Sequence, residues 1–171
     1  MKAEYGKVYT FTVDGEPVPK STMKPPNSPN AYWIVQKDPR KKRLKQTWDY
    51  QRHVANCAVL GDVPHFDKDD PIQISLHIFK SGRKTGDTKN ILASIEDGLQ
   101  YGRFIPNDRK VAGYGNVDTD YGVGNANARV EVKVEIYWQV RGLDWLTDYF
   151  GSKKKAKEYH DRVVANKNRI I

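Results

Sequence analysis

The strictest constraint on this fold is a change of hydrophobic period along the chain. From Arg129 to Val140 apolar residues take every second position, at Val130, Val132, Val134, Ile136 and Trp138, and Ile72, Ile74, Leu76 and Ile78 alternate with Gln73, Ser75, His77 and Phe79. That is the period of a strand with one buried face. Tyr5 to Val13 alternates in the same way, with Val8, Thr10 and Thr12 opposing Tyr9, Phe11 and Val13, and Val111 to Val117 reads as a weaker strand. Between the strands the period lengthens to that of a helix. Leu44, Trp48, Ala55 and Val59 recur over Arg40 to Leu60 behind Pro39, and Ile91, Leu92, Ile95 and Leu99 line one arc of Thr88 to Gln100 behind Asp87, a good N-cap. The order β, α, β, α, β, β predicts a small α+β fold, a mixed sheet packed against helices, in place of a parallel doubly wound sheet.

Several stretches resist either period. Pro17, Pro19, Pro25, Pro26 and Pro29 fix φ and remove amide donors, so residues 15–30 predict an extended loop, basic through Lys20 and Lys24, that runs on through Tyr32 and Trp33. Tyr121 to Asn127, rich in glycine and asparagine, reads as a hairpin loop between the last two strands. Past Arg141-Gly142 the aromatic and lysine-rich segment predicts a basic helical C-terminal extension reaching about Asn166, which divides the chain into a domain at 1–141 and an extension at 142–171. With 171 residues the domain holds a core that needs no staples. The single cysteine, Cys57, excludes an internal disulfide or a cysteine-based zinc site, and the histidines at 53, 65, 77 and 160 lack metal-ligand spacing. No apolar run approaches the roughly 18 residues that span a bilayer, and the first strand pattern stands where a secretory signal would carry its apolar region. A cytoplasmic setting, with no membrane partner, is the expectation.

The charge balance points to a polyanion. Lys and Arg total 29 against 21 Asp and Glu, a formal net charge of +8. Lys20, Lys24, Arg40, Lys41, Lys42, Arg43 and Lys45 form one positive belt, and Arg83 and Lys84 precede the second helix. Each phosphate that such a belt neutralises releases counterions. Tyr32 and Trp33 suit either a wedge against an unstacked base or aromatic packing in a core or dimer interface.

Projected at about 100° per residue, Asp87, Asn90, Ser94 and Asp97 of the second helix share an arc of roughly 80° beside its apolar arc, with Lys89 and Glu96 pointing elsewhere. Phe104-Ile105-Pro106-Asn107-Asp108 turns the chain back, which brings Asp108 beside Asp87. Taken alone, these residues fit two roles. Asp87 is a cap, Asp97 a solvated helix residue and Asn107-Asp108 a turn, or the carboxylates gather a hard divalent ion such as Mg²⁺ that activates water at a phosphodiester.

A longer pattern bears on that choice. Gly86-Asp87-Thr88-Lys89-Asn90, then Glu96-Asp97-Gly98-Leu99, then Asn107-Asp108-Arg109-Lys110-Val111 resembles the signature of the RusA family of Holliday junction resolvases, which reads Asp-x-Asp-Asn, a lysine three residues on, Asp-x-Leu, and Asp-Asp-x-x-Val. Gly15-Glu16-Pro17-Val18-Pro19-Lys20 is similar to the family's opening strand-to-loop segment, and the likeness spans about residues 5–140. The resemblance implies a homodimeric endonuclease, dependent on Mg²⁺ or on Mn²⁺ in its place, that nicks paired strands of branched DNA at a four-way junction. Such enzymes are frequently carried by bacteriophages and prophages, so the setting it implies is a bacterial or phage-infected cell. By position, Asp87 and Asp108 match metal ligands, Asp97 supports the site and Asn90 matches a further motif position. Two departures stand out: Lys89 replaces the second motif aspartate and Ala93 the motif lysine. A cation at a ligand position weakens Mg²⁺ binding, whereas Lys89, one helical turn before residue 93, is placed to take over the lysine's electrostatic role. Asn107, in place of the first aspartate of the pair, keeps an oxygen donor. The resemblance thus leaves two expectations, an active resolvase and a junction-binding protein that does not cut. An RNA-binding domain is disfavoured, because no strand carries a pair of stacking aromatics.

Overall fold

Alternation becomes strand wherever the apolar row finds a helix to cover it. In the computed structural model, which describes residues 1–4, 6–68, 70–82, 87–107, 111–137, 147 and 151–170 without the side chains of 163 and 166–170, the strands are β1 (Val8–Asp14), β2 (Ile72–Lys80), β3 (Val111–Tyr121) and β4 (Arg129–Ile136). Their order in the sheet is β1-β4-β2-β3. β4 runs antiparallel to both neighbours, while β2 and β3 are parallel. The helices are α1 (Ala31–Lys37), α2 (Lys42–Leu60) behind a single 3₁₀ turn at Pro39–Lys41, α3 (Thr88–Tyr101), and α4 (Lys153–Ile170). The chain is therefore the mixed α+β fold that its periods predict.

The buried rows Ile72, Ile74, Ile78 of β2 and Val130, Val132, Val134, Ile136 of β4 meet Val54 of α2 and Ile91, Ile95, Leu99 of α3 in one cluster. Gly98 lets the two helices touch: a Cβ there would stand 2.6 Å from Val54 Cβ and 2.9 Å from the Gln51 carbonyl. α3 is the crossover of the parallel pair, so its first turn lies at the end of the sheet where β2 stops.

Two expectations are corrected. Residues 122–128 do not close a hairpin, because β2 lies between β3 and β4; the segment passes the end of β2, where the Val123 amide donates to the Lys80 carbonyl at 3.1 Å. Tyr32 and Trp33 lie in α1 and not in the proline-rich loop, which is free of helix and strand from Gly15 to Asn30 as predicted. β3 also runs four residues beyond the expected Val117. The C-terminal helix forms, and it is seated on the domain: Ala156 and Tyr159 are buried, the Tyr159 hydroxyl donates to the Tyr137 carbonyl, and Arg162 Nη2 reaches Asp70 Oδ1 at 3.3 Å. Trp138, expected at the end of the last strand, lies outside the described residues.

Candidate functional site

Asp87 starts the site because it starts the helix. Its backbone is extended, and its carboxylate accepts from the Asn90 amide at 3.3 Å through Oδ1 and from Asn90 Nδ2 at 2.6 Å through Oδ2. The cap satisfies an amide that the first helical turn leaves without a partner, and it holds a negative charge at the positive end of the helix. The proline-rich loop then crosses that turn. The Lys20 amide donates to the Asn90 carbonyl at 2.8 Å, and the Ser21 amide donates at 3.0 Å to Thr47 Oγ1, whose hydroxyl in turn lies 3.0 Å from the Arg43 carbonyl. Prolines that forbid helix and strand leave the loop few backbone donors, and the two directly after Pro19, at 20 and 21, fasten it to α3 and α2.

Between loop and helices lies a groove of about 520 Å³ whose walls include Lys20, Met23, Arg43, Gln46, Asp87 and Asn90. The structure thus unites four residues chosen from sequence for metal or nucleic acid: Lys20, Arg43, Asp87 and Asn90. Asp97 is placed differently. Ten residues on from Asp87, it stands about 15 Å further along the helix axis, where its Oδ2 pairs with Lys20 Nζ at 2.8 Å and accepts from Gln51 Nε2 at 2.8 Å. It reaches the groove only through Lys20. Lys89 is exposed on the first turn of α3 with no ion pair among the described residues. Asp108, Arg83 and Lys84 lie outside the described residues.

The basic belt splits by partner. Lys24, Lys42 and Arg43 are exposed, Lys41 and Lys45 half-buried, and none has an ion pair among the described residues. Arg40 is spent. Its Nε and Nη2 donate to Asp38 at 3.0 and 3.1 Å, and those side-chain bonds, with the Arg40 amide behind them, hold the Asp38 carboxyl below its ordinary value.

Sequence reasoning passed over Thr47, Gln51 and Lys80. Arg43, Thr47 and Gln51 repeat at i, i+4 and i+8, a polar stripe of α2 legible by the same projection that isolates the stripe on α3. Glu96 points away from the polar stripe, as its position on the helix predicts, and there it is buried and accepts from the Tyr114 hydroxyl of β3 at 2.5 Å. Lys80 ends the buried row of β2 at 6 % exposure, as one more step of the alternation from Ile78 would have shown.

Among the described residues no three His, Cys, Asp or Glu side chains gather as a metal group. What the groove does offer is the Asp87 carboxylate, an oxygen donor of the kind a hard divalent ion takes while keeping several waters, with Asn90 donating to it through Nδ2. One carboxylate is short of such an ion's usual oxygen set, so a second would have to join it. The chain matches no protein-family model and no curated protein.

Proposed function

We propose that the chain is a RusA-like, Mg²⁺-dependent endodeoxyribonuclease that resolves four-way DNA junctions by paired nicks, acting as a homodimer. The observation that carries this reading is the groove, in which the helix-capping Asp87 and Asn90 stand with Lys20 and Arg43. A phosphodiester in that groove meets Arg43, which has no ion pair among the described residues and can grip two of its oxygens at once, and the N-terminal end of α3, whose partial positive charge favours an anion. Lys20, its ammonium paired with Asp97, forms the wall beside them. Asn90 orients the Asp87 carboxylate through its 2.6 Å hydrogen bond. Asp97 acts one step back, fixing Lys20 through their 2.8 Å ion pair.

Asp87, with Asp108 as the second carboxylate, would hold Mg²⁺, which when bound supplies charge neutralisation at the phosphate and lowers the pKa of water. In the hydrolysis itself a water oxygen bonds to phosphorus, the bond from phosphorus to the 3′ oxygen breaks, and the leaving oxygen takes a proton, so the products are a 3′-hydroxyl and a 5′-phosphate. Lys89, exposed beside the cap, offsets the negative charge that builds on the phosphoryl oxygens. The same lysine favours a second reading, a protein that binds junctions without cutting, since it puts a cation where the resemblance calls for a carboxylate.

Cleavage of an end-labelled immobile four-way junction, beside a linear duplex, in Mg²⁺ and in Mn²⁺ decides between them. Paired nicks near the branch point that vanish in Asp87→Asn and in Asp108→Asn are expected. Tight junction binding that survives EDTA and never yields nicks supports the second reading, and a preference for single-stranded RNA overturns both.

A further inference from the structure

α2 carries a second surface, away from the groove. Lys41 at its N-cap, then Lys45, Trp48 and Arg52, recur at i, i+4, i+7 and i+11, which places Lys45, Trp48 and Arg52 roughly 140–200° around the axis from the groove residue Arg43. α1 lies along this stripe. Tyr32 stacks on Trp48 with ring centroids 6.2 Å apart and planes 9° from parallel, and it meets Trp33 edge-on at 5.4 Å and 80°. Arg52 Nη2 donates to the Tyr32 hydroxyl at 3.0 Å, and its guanidinium stands 5.4 Å from the centre of the same ring. Val35, buried at 1 % exposure, anchors the far side of α1. A seven-residue helix has little stability of its own, so these contacts are what fix its position. They leave the Trp33 indole 63 % exposed, with Ile34 also exposed beside it.

Trp33 and Ile34, exposed side by side and rimmed by lysines, form an apolar patch with a polar rim, the pattern of an interaction site. Its surroundings say with what. Lys37, Lys41, Lys42 and Lys45 have no ion pair among the described residues, and Asp38, the acidic residue in their midst, is taken by Arg40. An apolar protein partner would have to strip water from these cations without repaying them. A nucleic-acid strand supplies both complements, a base face for the indole and phosphates for the lysines.

We propose that Trp33 is a stacking platform for an unpaired base, with the phosphates of the same strand running along Lys41 and Lys45. The inference rests on the reading of the chain as a branched-DNA protein and adds to it where the unpaired bases go, to the side of α2 away from the groove.

The test measures binding of a fluorescein-labelled oligothymidylate strand, a linear duplex and a four-way junction to the full chain and to Trp33→Ala and Trp33→Phe. Trp33→Ala should weaken the oligothymidylate complex by about tenfold, as loss of one base–aromatic stack does. Trp33→Phe should retain most of the affinity, and neither variant should alter binding to the duplex. Oligothymidylate affinity unchanged in Trp33→Ala, or an equal loss on the duplex, overturns the proposal. So does a change in molecular mass by light scattering with DNA binding intact, which would make the patch a contact between copies of the chain. Junction nicking that persists while oligothymidylate binding ignores Trp33 sinks this inference and leaves the nuclease reading standing, whereas a wild-type chain that binds neither DNA sinks both.

Discussion

Two neighbouring positions on α3 respond to substitution in opposite directions. At Gly98 an added Cβ would lie 2.6 Å from Val54 Cβ and 2.9 Å from the Gln51 carbonyl, and a backbone carbonyl inside another helix has nowhere to move. Overpacking of this kind costs about 1–3 kcal/mol, while the better helix propensity of alanine returns at most about 1 kcal/mol. Ser94, one turn earlier, is fully buried with a hydroxyl that has no hydrogen-bond partner among the described residues. Removing an unsatisfied buried hydroxyl is expected to gain about 1 kcal/mol. In urea titrations the midpoint should fall for Gly98→Ala and rise for Ser94→Ala, with the slopes unchanged. Asp38 makes the prediction for pH. Because Arg40 holds its carboxyl below the ordinary value, the hydrogen bonds that close the Pro39–Lys41 turn are complete above the usual carboxylate range and are lost as pH falls through the depressed value. Arg40→Gln should move the Asp38 titration, followed by carboxyl NMR, back up towards that range.

Elements were legible in proportion to how local their cause is. α3 was readable to within a residue because its apolar arc and its end lie inside fourteen consecutive residues and its cap, Asp87, directly precedes them. β3 looked weak because Gly113 and Gly115 thin its alternation, yet Gly115 serves the pairing with β2 and Gly113 makes room for the Tyr137 ring, 3.2 Å from where its Cβ would stand. A Cβ at Gly115 would stand 2.1 Å from Ser75 Oγ, and the register shifts twice along that stretch of β2. Strand pairing itself is not written in a period of two, which is why β4 was expected beside β3 and is found between β1 and β2. α1 was missed since its cause is remote: Val35 in the core and Tyr32 on Trp48 hold seven residues between two proline signals. At the site, only the start of the stripe on α3 reaches the groove: Asp87 and Asn90 line it, while Ser94 is buried and Asp97 pairs with Lys20. The closure by the loop was not legible, because it depends on Thr47 accepting from Ser21 across 26 residues. Thr47→Val keeps the shape and deletes that acceptor. It should cost about 1–2 kcal/mol, the penalty for a part-buried amide left without a partner. Hydrogen exchange at Ser21 should quicken markedly while amides of β2 and β4 keep their protection, and junction affinity should fall as Lys20 and the groove wall loosen.

On the scale of the whole molecule, a net charge of +8 says that a polyanion is attracted but not which cations meet it. The structure divides them. Arg40 shares its guanidinium with Asp38 in a two-pronged contact, while Lys42 and Arg43, two and three residues on, have no ion pair among the described residues. A cation already neutralised displaces few counterions from DNA, so residues adjacent in sequence should differ in how they shape the salt dependence. Each phosphate contact contributes about 0.9 to the slope of log K against log salt on duplex DNA. Lys42→Gln and Arg43→Gln should each lower the slope of junction binding by about 0.9 when they lose one contact, and Arg40→Gln should lower it by clearly less. Asp87→Asn removes a negative charge from the groove and no cation, so under the proposed function it should abolish nicking without flattening the slope. Equal effects from Arg40 and Lys42 would mean that the bond to Asp38 opens when DNA arrives. A slope that ignores all three substitutions would place the phosphates elsewhere, with α4 and its lysines the next surface to vary.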